Sequence, residues 1–326
     1  MQVLVTGVAG FIGFHVARAL LARGGEVCGV DCVTDYYSVA LKRARLAELA
    51  KYSTFAFHEI DVSDHQAVDE VFRRHPDVRG VIHLAAQAGV RYSLINPFAY
   101  ARSNMMGQVV MLEAARRIER LSCFVYASSS SVYGGNTKQP FSVADRVDDP
   151  VSLYAATKRS GELAAISYAH LYGLPSIGLR YFTVYGPWGR PDMAAYLFAD
   201  AIVAGRPIQV FNEGRMARDF TYIDDIVAGT LAALDRPPSG KRPHRLYNLG
   251  NHRPEDLLHF IDILERALGR TTERRMLPLQ PGDVPESYAD IEESRLDLGF
   301  DPTTPIEIGI PKFVEWYRAY HGLDRP

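Results

Sequence analysis

Cysteine is scarce: only Cys28, Cys32 and Cys123 occur in 326 residues. An odd, sparse set excludes a disulfide framework and is expected of a reduced, cytoplasmic protein. Cys28 and Cys32 sit around a predicted strand, with no His or Cys neighbours at metal-ligand spacing in the chain. Both read as structural, and no metal centre is expected. Charge of one sign is also lacking. Lys and Arg number 36 against 38 Asp and Glu, a net charge of −2, which leaves no electrostatic footprint for nucleic acid or an anionic membrane. No apolar run approaches the roughly 18 residues that a membrane span requires. The opening MQVLVTGVAGFIG has neither a basic n-region nor a small-residue cleavage site, so it reads as a first core strand and not a signal peptide. Internal repeats and low-complexity tracts are absent.

What is there is alternation. Short apolar runs at Gln2–Thr6, Glu26–Asp31, Thr54–Glu59, Gly80–Leu84, Ser122–Ala127 and Ser176–Phe182 read as buried strands. Helix-like stretches at Phe11–Arg23, Val39–Ala50, His65–Arg74, Pro97–Ile118 and Val151–Tyr172 lie between them. Such spacing predicts βαβ units and an α/β fold, a doubly wound parallel sheet of the Rossmann type covered on both faces. Beyond residue 182 Pro and Gly become frequent, and short strands alternate with isolated helices. The expected division is therefore 1–182 for the sheet domain and 183–326 for a smaller C-terminal domain, interleaved with it and sending later segments back.

The first strand runs directly into TGVAGFIG, with Gly7, Gly10 and Gly13 evenly spaced. A strand turning sharply into a helix presents unpaired N–H groups and the positive end of the helix dipole. Gly7 permits the turn, Gly10 lets the backbone approach a pyrophosphate, and Gly13 allows close helix–strand packing. Asp31, at the end of the second strand, is placed to accept hydrogen bonds from an adenosine ribose and to repel a 2′-phosphate, so NAD is expected over NADP. Asp61 follows the third strand and reads either as an adenine neighbour or as the N-cap of the next helix. HLAAQAGV, after the fourth strand, is small enough for a dinucleotide to pass, and His83 within it reads as a core histidine.

Tyr154 and Lys158 in SLYAATKRSGE are four apart on a predicted helix and share one face. An ammonium beside a phenol stabilises phenolate, lowering its pKa towards the range of a general base, and Lys158 can reach a nicotinamide ribose as well. The pair follows ASSSSVYG along the chain, where a serine at a strand end can bond the same substrate oxygen.

TGVAGFIG, HLAAQAGVR, ASSSSVYG, YAATK, LRYFTVYGPWGRPDMA and RDFTYIDDIV together resemble the extended short-chain dehydrogenase/reductases over essentially the whole chain. Within that superfamily they resemble the nucleotide-sugar epimerases, most closely the UDP-glucuronate 4-epimerases. The resemblance implies an NAD site at Gly7, Gly10, Phe11, Ile12, Gly13, Asp31, Asp61, Val62, Leu84, Ala85 and Ala86, completed by Tyr154 and Lys158. It makes Ser129, Tyr154 and Lys158 the catalytic triad of a 4-epimerisation through a transient 4-keto sugar. A homodimer built on the helices Pro97–Ile118 and Val151–Tyr172 is implied too.

Relatives that dehydrate hexoses carry an Asp–Glu pair after the catalytic hydroxyl, and UDP-glucuronate decarboxylases carry a Glu at the second position. Ser130 and Ser131 stand there in this chain, and neither can act as a carboxyl acid or base. The resemblance places Arg190, a bidentate donor, and Thr183 at the sugar carboxylate. It places Arg218 at the diphosphate and Asp283 at the uridine ribose, in a UDP-sugar site. Gln280 replaces an Arg common in hexose epimerases, and Arg91 is either its substitute or a second sugar contact. The rival expectations are a 4-epimerase of neutral UDP-hexoses, a decarboxylase and, outside enzymes, an NAD-sensing regulator.

Overall fold

The computed structural model describes residues 1–279 and 284–323. Six strands alternate with helices from the N-terminus: β1 (Gln2–Thr6), β2 (Glu26–Asp31), β3 (Phe55–Glu59), β4 (Val78–His83), β5 (Cys123–Ser129) and β6 (Ser176–Tyr181). With a seventh strand, His244–Leu249, they form one sheet in the order His244–Leu249, β6, β5, β4, β1, β2, β3. Every pairing in it is parallel. A parallel sheet must be covered on both faces, and its strands read as continuous apolar runs for that reason. β6 is buried at all its positions, and two separate clusters of buried side chains cover the faces. The chain leaves β1 towards β2 on one side and returns to β4 on the other. The crevice at the strand carboxyl ends between β1 and β4 is thus the topological switch point, where ligands of open α/β sheets bind.

The helices end where local chemistry stops them. Asp64 caps His65–Arg74, its carboxylate accepting from the Gln66 and Ala67 N–H groups, so Asp61 is not that helix's cap. Asp61 instead accepts from the Ser63 N–H at 2.8 Å. Ser152 caps Leu153–Tyr172, and Gly173 closes it in the left-handed conformation at φ 64°. The predicted helix Pro97–Ile118 is interrupted: Pro97–Tyr100 and Gly107–Ala115 are α-helical, and Ala101–Met106 between them is a π-helical segment.

Beyond residue 182, His244–Leu249 apart, the strands are short and belong to small sheets. Thr183–Tyr185 pairs with Phe220–Tyr222, Ile208–Phe211 with Arg274–Leu277, and Ala217–Arg218 with both Glu255–Asp256 and Glu286–Ser287. Asp219 ties this region together. Its fully buried carboxylate accepts from the N–H groups of Asn251, His252 and Ala289 and from the Thr221 hydroxyl. Burial nevertheless pushes its pKa up to about 6. Among the described residues no helix is long and apolar enough to cross a membrane.

Candidate active site

The glycine turn at the end of β1 is built as its spacing requires. Gly7 adopts φ +72°, and a Cβ on it would stand 2.7 Å from the Ala85 nitrogen. A Cβ on Gly13 would collide with the Gly7 carbonyl. The helix Phe11–Ala22 starts at Gly10 with no side-chain cap, and its first internal bond is Phe14 N–H to Gly10 C=O at 3.0 Å. The N–H groups of Phe11, Ile12 and Gly13 precede that bond, the arrangement that receives a pyrophosphate. Asp31 closes the turn, with Oδ2 accepting from Ala9 N–H at 3.0 Å and Oδ1 from Val33 N–H at 2.8 Å. Burial pushes the Asp31 carboxyl up, against those bonds and the nearby charges of Lys42 and Arg45. A dinucleotide therefore fits this cradle.

The HLAAQAGV segment lies against the turn. Ala85 N–H donates to Thr6 Oγ1 at 3.1 Å, and Thr6 Oγ1 also meets His83 Nδ1 at 2.7 Å. His83 is buried, and desolvation takes it down to about 3. Asn104, inside the π-helical segment, accepts from Gln87 N–H at 2.8 Å, donates to Gln87 C=O at 3.0 Å and reaches Thr157 Oγ1 at 3.0 Å. It thereby fixes the segment to the Tyr154 helix. Leu84 and Ala86 line the same stretch half-buried, whereas Val62 packs in the core against Gly107.

The four serines after Ala127 divide between two tasks. Ser128 points inward, donating to Glu162 Oε1 at 2.6 Å. Glu162 is held by both Arg180 Nε (2.8 Å) and Nη2 (2.9 Å), and this ion pair is almost wholly buried. Ser129, at the β5 end, is buried too, its Oγ accepting from Ser131 N–H at 3.2 Å and donating to Ser131 Oγ at 3.2 Å. Ser130 and Ser131 continue as a 3₁₀ turn, half-buried beside it.

Tyr154 and Lys158 share a helix face as expected, but their electrostatics differ from the expectation. Burial holds the Tyr154 phenol above its usual range, opposed by a hydrogen bond from Ser129 and by the charge of Arg190. Lys158 does not supply that lowering. Its ammonium donates to the Ala127 carbonyl at 2.9 Å, and desolvation takes its own pKa down to about 8. Behind it lies a polar cavity lined by His83, Asn104, Gln108, Tyr126 and Thr157.

Arg190 and Thr183 line one cavity with Gly186, Met193, Tyr196 and Phe313. Arg190 is bidentate, but to Asp192: Nε lies 3.0 Å from Oδ1, and Nη2 closes on Oδ2. Tyr36 donates to the same Oδ2 at 3.0 Å. Arg45, fully buried, holds this loop to the glycine turn, donating to Ala9 C=O at 2.8 Å and to Trp188 C=O at 2.6 Å. Sequence reasoning missed Asn104, Glu162, Arg45 and Asp192. Only Asp192 carried a local signal, two residues from Arg190.

The other candidates lie further out. Arg91 is exposed, its guanidinium 5.4 Å from the Phe211 ring centre. Arg218 donates to the Ala217 and Pro285 carbonyls. Gln280 and Asp283 lie outside the described residues.

Residues 3–250 match the model of the NAD dependent epimerase/dehydratase family. The chain is 47% identical to a probable UDP-glucuronate 4-epimerase of Rhizobium meliloti, over 97% of each chain. Its fold is similar to that of the UDP-glucuronic acid 4-epimerase of Bacillus cereus in complex with UDP-glucuronic acid and NAD. The TM-score is 0.87 at 34% identity, covering 98% of this chain and 100% of that one. It is also similar to a UDP-glucose 4-epimerase of Thermotoga maritima with UDP-glucose, with TM-score 0.86, 30% identity and the same coverage.

Proposed function

Since the chain belongs to the NAD dependent epimerase/dehydratase family and is an NAD-dependent nucleotide-sugar 4-epimerase, we propose that it interconverts UDP-glucuronate and UDP-galacturonate. One observation carries the choice of a uronate: Arg190 and Thr183 share a cavity, and the Arg190 charge is felt at the Tyr154 phenol. Arg190 is now bidentate to Asp192 and would exchange part of that pairing for a sugar carboxylate.

NAD, when bound, supplies the removal of hydride from sugar C4 and its return to the opposite face. The N–H groups of Phe11, Ile12 and Gly13 would hold its pyrophosphate and Asp31 its adenosine ribose, with Leu84, Ala85 and Ala86 beneath it. In its phenolate form, which the Ser129 bond and the Arg190 charge favour against burial, Tyr154 Oη accepts the proton of the sugar 4-hydroxyl and gives it back to the 4-oxygen of the epimer. Ser129 orients that oxygen, and Lys158 carries positive charge at the foot of the same helix face. The 4-keto uronate is a β-keto acid, which loses CO₂ when its carboxylate bond aligns with the carbonyl π system. Arg190 and Thr183 hold the carboxylate out of that alignment, while Ser130 and Ser131 offer no carboxyl group to promote elimination. Arg218 and Asp283 take the UDP portion, and Arg91 takes either the second phosphate or the sugar.

The same proposal includes a homodimer. Leu94, Ile95, Phe98, Met106 and Val109 leave apolar surface exposed beside Leu163 and Ile166 of the Tyr154 helix. A contiguous apolar face of this kind is buried by a self-complementary two-fold contact. The three cysteines are free, in keeping with a reducing cytoplasm.

Proton NMR of the anomeric signals of UDP-glucuronate, incubated with the purified protein, tests the reading. UDP-galacturonate accumulates without net NADH. Arg190→Ala loses uronate turnover or releases UDP-pentose and CO₂. If uronate is untouched and UDP-glucose is epimerised instead, the neutral-hexose reading replaces this one.

A further inference from the structure

Along the chain Cys28 has no ligand partners; in space it has two. It lies on β2, where the register sets Cys28 beside Ala56 and Val30 beside His58 of β3. Residues two apart on a strand face the same side, so Cys28 and His58 emerge together on the face covered by the helix His65–Arg74. That helix ends at His75, its C-terminal cap. The Cys28 Sγ and the ligating nitrogens of His58 and His75 all lie within 4.8 Å of one another, the only such cluster among the described residues. His58 Nε2 and His75 Nε2 are 2.8 Å apart, with the rings at 81°.

We propose that Cys28, His58 and His75 form a binding site for a thiophilic divalent cation of the Zn²⁺ type, with water as the fourth ligand. Thiolate and imidazole are the ligands that such an ion selects over carboxylate oxygen. Tetrahedral zinc sets two imidazole nitrogens about 3.3 Å apart, so the rings need part by only about half an ångström from their present hydrogen bond. Two of the three ligands stand on adjacent strands of the sheet and the third on a helix terminus, which keeps the site largely preformed. Cys28 is fully buried, while both histidines are half-exposed, so the ion enters from the imidazole side and keeps a water there.

The protons balance simply. The Cys28 S–H bond breaks, an S–metal bond forms and one proton leaves to solvent. The ring that donates Nε2–H in the imidazole pair carries its proton on Nδ1 instead, which frees both Nε2 lone pairs. Arg74 is a nearby opposing cation, and its Nε is already bonded to Glu70 at 2.7 Å. The site lies at the outer edge of the sheet, away from β5 and Ser129. Its effect is to fasten the edge strand β3 to the end of the helix that follows it.

Cobalt titration of the EDTA-treated, NAD-loaded protein reads the site directly. One equivalent of Co²⁺ gives a thiolate-to-metal charge-transfer band with tetrahedral d–d bands, Zn²⁺ displaces it, and Zn²⁺ alone raises Tm. The band is lost in Cys28→Ser and in His75→Gln and kept in Cys32→Ser. His75→Gln alters a half-exposed terminal residue and serves if Cys28→Ser fails to fold. Absence of a thiolate band in the unmodified protein, its survival in His75→Gln and Cys28→Ser, or its loss in Cys32→Ser overturns the proposal.

Discussion

The Arg45 guanidinium reaches the Trp188 carbonyl at 2.6 Å across 143 residues of chain, and through Nη1 it also holds Ala9 C=O of the glycine turn. One buried side chain thus spans the cofactor cradle and the loop that presents Arg190. Trp188 sits at φ 62°, a conformation that a bulky residue keeps only when its surroundings hold it. Arg45→Met leaves buried carbonyls without donors and is expected to cost about 2–4 kcal/mol. It also raises KM for the uronate by loosening the Arg190 loop. Arg45→Lys rescues little, because a single ammonium cannot bridge both carbonyls. Denaturant unfolding and steady-state kinetics check both effects.

Tyr154→Phe is expected to lower kcat by about 10²–10⁴-fold, the usual contribution of a positioned acid–base group. Tm and NAD content stay unchanged, because among the described residues the phenol makes no structural bond outside the site. Turnover by NMR and the absorbance ratio of bound cofactor provide the two readouts.

Lys158 carries a structural cost. Its pKa falls from 10.5 to about 8 in the folded chain, so between those values the unfolded state binds more protons and stability rises with pH. Below that window the buried ammonium costs about 3 kcal/mol. Lys158→Met therefore abolishes turnover yet raises Tm at pH 7, and the gain disappears above about pH 10.4. Thermal scans of the two proteins across that range test it.

Glu162 lies in the opposite situation. Burial pushes its carboxyl up, but the bonds from Arg180, Ser128 and Arg159 hold it below the usual range. A depressed carboxyl contributes stability that is present above its unfolded pKa and lost as pH falls through the folded value. Glu162→Gln strands the buried Arg180 and is expected to cost about 3–5 kcal/mol. The double variant Glu162→Gln, Arg180→Met recovers much of that loss, and chemical denaturation of the three variants gives the coupling.

Local pattern carried the sheet. β1 and β2 have the bounds that their apolar runs predict, and β5 runs two residues beyond its run because Ser128 is drawn into the core by Glu162. Gly7 and Gly13 are legible because their backbone leaves no room for a Cβ. The Tyr154–Lys158 face was legible from helical spacing, but the sign of the phenol's shift was not, since desolvation depends on what packs above it. Arg45, Asn104 and the His58–His75 pair gave no signal because their partners are remote in sequence. The π-helical turn at Ala101–Met106 escaped for a related reason. It is stabilised by the Asn104 contacts to Gln87 and Thr157, not by its own composition.

The strand His244–Leu249 is made after much of the smaller region, yet it pairs with β6 inside the main sheet. During synthesis the ribosome has released about 60 residues of other material before this strand appears. Until then the strand edge of β6 is unpaired, the kind of template that recruits neighbouring chains. The nascent protein therefore passes through a window of self-association that closes only when residue 249 clears the exit tunnel. A truncation ending at residue 182 would remain in that window permanently.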